Sequence, residues 1–173
     1  MSFWVKVENM NQLVIEADLH SEAHSEAILS LMKEYALDVM GGGQPLPEDV
    51  ALRLLPALRK RADVYVFLAY RHAEPVGMAV CFEGFSTFAA RPLINIHDLI
   101  VKKEFRGFGI GRAILKKVEE KAHYSGCCKI TLEVIEGNKS AKELYSSFGF
   151  VNYELDKSMG RAVFMEKKLY QNL

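Results

Sequence analysis

The apolar positions change period along the chain, and the changes mark its elements. Over 21–40, Ala27, Ile28, Leu31, Met32, Tyr35 and Val39 recur every three to four residues, which predicts an amphipathic helix. Gly41-Gly42-Gly43-Gln44-Pro45-Leu46-Pro47 ends it. Pro47, Glu48 and Asp49 open a second helix through about Arg61, because Pro and acids suit a first helical turn. Pro56 inside that run predicts a kink or a break into two pieces. From Val64 the pattern is that of strands. Segments 64–70 and 76–82 flank a hairpin turn at 71–75, and 93–101 is a third long strand. The run 109–124 returns to helical spacing. Ile114, Leu115, Val118 and Ala122 lie on one side, with Arg112, Lys116, Lys117, Glu120 and Lys121 on the other. A strand at 129–134 follows. Asn138 then caps a helix to about Phe148, which Gly149 ends. Segments 151–155 and 162–168 read as closing strands around Ser158-Met159-Gly160, and a short strand at 12–16 precedes everything. Strands and helices mixed in this order predict one α/β domain with a mixed sheet.

Composition narrows the class of protein. A chain of 173 residues fits one domain, and 50% hydrophobic residues suffice for a core without disulfides or metal. The 22 basic and 22 acidic residues cancel, so no global field favours nucleic acid or an anionic membrane. No apolar run approaches the ~20 residues of a membrane span. Met1 to Lys6 lacks the charged start and apolar run of a secretion signal. Three cysteines, two of them adjacent (Cys127 and Cys128), suit a reducing cytoplasm.

The stretch with most chemical content is Arg106-Gly107-Phe108-Gly109-Ile110-Gly111, between the 93–101 strand and the following helix. Alternate glycines remove three Cβ atoms where a turn opens into a helix. Backbone amides there can close on an anion, aided by about half a positive charge at the helix N-terminus. The segment is no P-loop, because no Gly-Lys-Ser/Thr follows. As a dinucleotide fingerprint it is weakened by Arg112 in place of a small residue, and by Lys102-Lys103-Glu104-Phe105 separating it from its strand. A glycine-rich turn without a ligand is the bland alternative.

Two motifs carry a resemblance. Arg106, Gly109 and Gly111 follow an apolar strand in an Arg/Gln-x-x-Gly-x-Gly/Ala pattern. Some thirty residues on, Asn138, Ala141, Tyr145, Gly149 and Phe150 spell Asn-x-x-Ala-x-x-x-Tyr-x-x-x-Gly-Phe. In this order the chain resembles the GNAT superfamily of acetyl-CoA-dependent N-acetyltransferases, and loosely its diamine and polyamine branch. The resemblance implies a mixed, mostly antiparallel sheet of six to seven strands, about four flanking helices, and one splayed pair of parallel strands. It implies acetyl-CoA as cofactor, with the amides of Gly107, Phe108, Gly109, Ile110, Gly111 and Arg112, led by Arg106, around its pyrophosphate. The backbone of Leu99, Ile100 and Val101 would pair with the pantetheine arm. A bulge would part the strands 93–101 and 129–134, although neither Gly nor Pro marks one. Tyr145 would donate a proton to the departing thiolate. A homodimer is the family's habit.

For the acceptor amine, Asp98 and His97 on the strand bordering the thioester are the candidate bases, directly or through water. Asp98 also reads as an anchor for the substrate ammonium or as half of an ion pair, and His97 as a half-buried structural histidine. Glu83 and Phe85 are further candidates for the acceptor side, and Glu133 a weaker one. Asn138 contacts cofactor or caps its helix; both readings stand. His20 and His24 have a metal-like spacing without a third ligand, and Cys127-Cys128 lacks C-x-x-C spacing. The acceptor is a polyamine, an amino-acid-like amine or an aminoglycoside. Where the polyamine branch carries Glu-Asp, this chain has His97-Asp98, which removes a carboxylate for a second ammonium. The competing readings are a non-catalytic acyl-CoA-binding protein on the same fold and a nicotinamide-dependent oxidoreductase.

Overall fold

The computed structural model describes residues 12–169 apart from Leu155, Lys157 and Met159. The chain divides into two compact units, Met1–Ile135 and Glu136–Leu173. The first holds β1 (Gln12–Glu16), α1 (Glu22–Leu37), α2 (Glu48–Arg59), β2 (Val64–Arg71), β3 (Glu74–Ser86), β4 (Arg91–Val101), α3 (Ile110–Tyr124) and β5 (Ile130–Leu132). Single 3-10 turns at Val39–Gly41 and Lys103–Phe105 follow α1 and β4. The strands form one sheet in the order β1-β2-β3-β4-β5. The first three pairings are antiparallel and the last is parallel.

Helices cover both faces. Ile28 and Leu31 of α1 and Leu55 and Leu58 of α2 pack with Val66, Leu68, Met78, Val80 and Ile100 on one side. Ile110, Ile114, Leu115 and Val118 of α3 are buried on the other. Burying one such side chain is worth roughly 1.5–3 kcal/mol, so the two layers dominate the stability of this unit. At Gly77 a Cβ would lie 2.8 Å from the Ile100 carbonyl and 3.1 Å from Ile114 Cδ1. Only glycine lets α3 settle this close to the sheet.

The helical spacing of 21–40 holds, but α1 stops at Leu37 because Asp38 takes up extended backbone and the chain tightens into the 3-10 turn. Ser21 caps its start through the His24 amide. The expected break at Pro56 does not occur. Glu48–Arg59 is one helix with Pro56 inside it, anchored by buried Leu55 and Leu58 on either side. β3 extends past the expected end at Phe82 to Ser86, because β4 continues to pair with it as far as Ser86↔Arg91.

The second unit carries α4 (Lys139–Ser147). The expected closing strands are corrected by the structure. Among the described residues 151–154 and 162–168 none is in a strand, and the sheet has five strands rather than six or seven. The Ala162 amide donates to the Tyr153 carbonyl at 3.1 Å, between the two segments. Val151, Val163 and Phe164 are exposed, and a lone hairpin without a buried face is marginal. Leu155 and Met159, which fall within that expectation, lie outside the described residues.

Candidate active site at the parting of β4 and β5

The β3–β4 ladder carries one irregularity. Val80 pairs with Asp98 but Cys81 pairs with Ile96, so His97 is an extra residue on β4. This is a bulge, and it changes which face β4 presents. Ile100, past it, lies in the α1/α2 cluster. Ile96, before it, pairs with Cys81, whose neighbours Val80 and Phe82 face that cluster, so Ile96 faces α3. A residue of the same parity thus crosses the sheet within four positions.

The bulge coincides with the end of the parallel ladder. β4 pairs with β5 only over Ile94↔Ile130 to Ile96↔Leu132. The Lys102 amide donates to the Val76 carbonyl at 2.9 Å, so the alternation directs Ile100 and Asp98 to β3 and turns the backbone of Leu99 and Val101 away. The Val101 carbonyl accepts from Arg106 Nε at 3.0 Å, in keeping with that direction. Past Ile96, then, β4 offers main-chain groups along an edge that β5 does not fill.

At the end of that edge stand the glycines. Gly107 (φ 85°) and Gly109 (φ 80°) occupy left-handed backbone, and a Cβ at either would meet nothing within 4 Å. Gly109 caps α3 without a side-chain hydrogen bond, so the cap itself supplies no side chain to the amides of the first turn, Ile110, Gly111 and Arg112. Phe108 between them is 52% exposed, with the Arg71 guanidinium 4.9 Å from its ring centroid. Backbone N–H groups at a helix N-terminus beside these two glycines suit a diphosphate. Arg106 itself is engaged by the Val101 carbonyl and by Asp38 Oδ2 at 2.7 Å.

On the α1/α2 face beside the bulge lies Asp98. Burial pushes its carboxyl above the usual range, and His97 pulls the other way. The His97 ring meets Phe82 edge-on at 5.6 Å. Tyr35 of α1 shares this environment: burial, then the charges of Asp98 and Asp38, raise its phenol. Across the gap, Asn95 Nδ2 is 3.3 Å from both carboxylate oxygens of Glu133 and 3.2 Å from Thr131 Oγ1. Extending the parallel register by one residue sets Glu133 against His97.

Two expected acceptor residues are not brought to this place. Glu83 alternates with Phe82 and so faces α3, where it accepts from the Tyr65 hydroxyl at 2.8 Å. Burial and Glu83 push that phenol up to about 12, and Lys121 Nζ of α3 sits 4.1 Å from its ring centroid. Glu83 is therefore on the opposite side of the sheet from Asp98. Phe85 is 64% exposed and pairs with Pro92, at the end of β4 remote from Val101. In the second unit Asn138 Oδ1 accepts from the Ala141 amide at 3.2 Å, so its capping role is present. Tyr145 is buried, its ring 5.8 Å from Phe150 at 63°. Sequence reasoning missed Asp38 and read Tyr35 only as a member of the apolar stripe; neither carries a motif.

The Acetyltransferase (GNAT) family model matches residues 27–150. Thialysine N-epsilon-acetyltransferase of Caenorhabditis elegans is 29% identical over 143 residues, 79% of this chain and 82% of that protein. The bovine (Bos taurus) enzyme of the same name is 42% identical over 74 residues, 43% of each chain, so that match spans less than half of the relative. Among solved structures, AAC(6')-Iy in complex with the bisubstrate analog CoA-S-monomethyl-acetylneamine superposes with a TM-score of 0.70 at 17% identity, over 91% of this chain and 98% of that one. At that identity the superposition shows the fold alone. The chain belongs to the acetyltransferase (GNAT) family. It is an N-acetyltransferase, of a family that uses acetyl-CoA as acyl donor. Among the described residues no helix is long and apolar enough to cross a membrane.

Proposed function

We propose that this chain transfers the acetyl group of acetyl-CoA to a primary amine of a small molecule, in a ternary complex, with an amino-acid-like amine favoured as acceptor. The observation that carries the reading is the coincidence of three features: the bulge at His97, the end of β5 pairing at Ile96, and the glycine-capped start of α3. Together they offer an edge for an amide-bearing arm and a cradle for its diphosphate. The names of the worm and bovine relatives support a lysine-like acceptor over a polyamine or aminoglycoside. The family match runs from 27 to 150, across the boundary between the units, and supports reading 1–173 as one catalytic domain. In cells the protein would act in the cytoplasm, as a homodimer, which sedimentation at micromolar concentration tests.

Acetyl-CoA supplies an acyl group activated as a thioester. The chain's residues do the rest. Amides from Gly107 to Arg112 hold the diphosphate, and the outward main-chain groups of Leu99 and Val101 align the arm, while the Ile100 backbone stays bonded toward β3. The acceptor must be a neutral amine, whereas a free alkylammonium has a pKa near ~10.4. Asp98 attracts the ammonium to the bulge, and Asp98 or His97 takes its proton, directly or through water. Tyr145 returns a proton to the thiolate, whose thiol has a pKa of roughly 8.5. The test is thiol release from acetyl-CoA over a panel of lysine, thialysine, polyamines and aminoglycosides. Release with a primary amine supports the reading, and Tyr145→Phe is expected to cut turnover roughly 10²-fold while acetyl-CoA still binds. Tight acetyl-CoA binding with no release across the panel favours a non-catalytic binder. Stabilisation by NADH and not by acetyl-CoA favours the oxidoreductase.

A further inference from the structure

Arg106 leads the glycine segment, yet its side chain is tied to the far end of α1. Its Nε donates to the Val101 carbonyl at 3.0 Å and its Nη2 to Asp38 Oδ2 at 2.7 Å. Asp38 ends α1 and begins the 3-10 turn Val39–Gly41. Its Oδ1 accepts from the Met40 amide at 2.9 Å, and its carbonyl accepts from the amides of Gly41 and Gly43 at 2.8 and 3.0 Å. The Asp38 side chain is only 19% exposed and that of Arg106 48%. Asp38 therefore organises the turn at 38–43 through its main-chain carbonyl and one carboxylate oxygen, while the other holds the arginine that fixes the end of β4's open edge.

The two ends of this link border different substrates. Val101 and Gly107 belong to the edge and cradle assigned to acetyl-CoA. The turn at 38–43 begins one helical turn beyond Tyr35, whose phenol lies in the field of Asp98. With its arginine about half exposed, this ion pair adds little to global stability, so its consequence is positional. Arg106 has few alternatives: its fork is already committed to one carbonyl and one carboxylate. A shift of the 106–109 backbone on closing around a ligand must pull on Asp38 or break the pair.

We propose that Asp38 is a positioning residue that transmits occupation of the acetyl-CoA cradle, through Arg106, to the 38–43 turn on the acceptor side. The inference rests on reading 106–111 as the acetyl-CoA cradle. Its consequence is that the acceptor side orders when acetyl-CoA is bound, with the Arg106–Asp38 pair bridging cradle and turn.

Asp38→Asn keeps an oxygen for the Met40 amide and removes the charge facing Arg106, so it tests the link with little damage to the turn. Hydrogen exchange of the Met40, Gly41 and Gly43 amides, with and without saturating acetyl-CoA, needs no acceptor. In the wild-type chain acetyl-CoA is expected to slow these amides about fivefold or more. In Asp38→Asn that protection is lost, while calorimetry shows the acetyl-CoA Kd raised about 3–10-fold and the melting temperature changes little. In Arg106→Gln both effects recur, and the double variant is no worse than either single one, as expected for two members of one link. Protection that persists in Asp38→Asn, an unchanged Kd, or losses that add in the double variant would overturn the proposal. A wild-type chain that binds no acetyl-CoA at all overturns the cofactor reading beneath it, and is told apart by the first titration.

Discussion

The two halves of β4 have nearly the same sequence character and opposite roles. Ile94 to Ile96 are bonded to β3 on one side and β5 on the other, and Ile94 and Ile96 are 0% and 3% exposed. Leu99 to Val101 have a ladder partner in β3 alone among the described residues, and on their other edge the Val101 carbonyl accepts from Arg106 Nε. A single extra residue, His97, separates the halves. The first half closes the sheet and makes core; the second leaves the sheet unfinished, where a ligand's amides can complete it. Function in this fold sits where a ladder stops short.

The contrast predicts unequal costs. Ile94→Ala in the closed half should lose about 3–4 kcal/mol of stability, from lost burial and the cavity left behind. Val101→Ala in the open half, where the side chain is half-buried, should lose about 1 kcal/mol or less, with its effect seen instead in the KM for acetyl-CoA. Urea unfolding of both variants checks this, and equal losses would erase the distinction between the halves.

Next in size is the cradle that continues the open half. Gly109→Val forces a β-branched residue to φ 80° and sets its side chain in the open space beside α3. Left-handed backbone alone costs such a residue about 1–2 kcal/mol. Where the side chain also obstructs the anion, acetyl-CoA affinity should drop about 30-fold (roughly 2 kcal/mol). The fold should persist, because the protein itself offers the new Cβ no clash. Calorimetry showing unchanged affinity would remove the diphosphate from this place.

How much of this was legible beforehand differs between the same two regions. The glycines, α3 and the strand 93–101 stand out by spelling and period, because local backbone needs dictate them. The parting of β4 from β5 does not. Ile94-Asn95-Ile96-His97-Asp98-Leu99-Ile100-Val101 reads as one continuous strand, and the bulge is decided by which side chains find a face across several strands. Asp98 and Glu83, both expected at the acceptor side, land on opposite faces of the sheet, since the face on which an acid lands depends on a register that one strand's sequence does not contain. Asp38 escaped altogether: its partner lies 68 residues away in Arg106, and only tertiary structure brings them together. The expected closing strands failed for a related reason. Alternation in 151–154 and 162–168 signals strand only if a partner covers the apolar side.

Asp98, at the first position past the bulge, combines the costs of both halves. Burial raises its carboxyl, so folding favours the protonated form. That contribution is fully present below the unfolded pKa of about 3.9 and is lost as pH rises through the folded value. At neutral pH the ionised carboxylate therefore opposes folding, and Asp98→Asn should melt higher, by about 2–4 °C for each kcal/mol relieved. The gain should shrink as pH falls toward 4. Turnover should decline about tenfold over the same range in which stability improves. A melting scan across pH 4–8 beside the thiol-release rate decides it. An Asn variant that is less stable at pH 7 means that Asp98 forms a native ion pair, and the acceptor role passes to His97 or Glu133.

The smallest effect belongs at the other end of β4, far from the opening. Ala90 ends the β3–β4 hairpin with φ 49°, a left-handed backbone that alanine adopts at a cost, on an exposed turn just before Arg91. Strain of this kind often marks a functional site. Here it adjoins the closed half, whose register Ser86↔Arg91 is regular. If the closed half only builds structure, relieving the strain should be harmless. Ala90→Gly removes the Cβ that makes the conformation costly but adds backbone freedom to the unfolded chain, so the net gain is about 0.5 kcal/mol. Turnover and acetyl-CoA affinity should stay within twofold. A measurable drop in either would mean that the hairpin tip takes part in binding after all. The division of β4 into a structural and a chemical half would then have to move toward its N-terminal end.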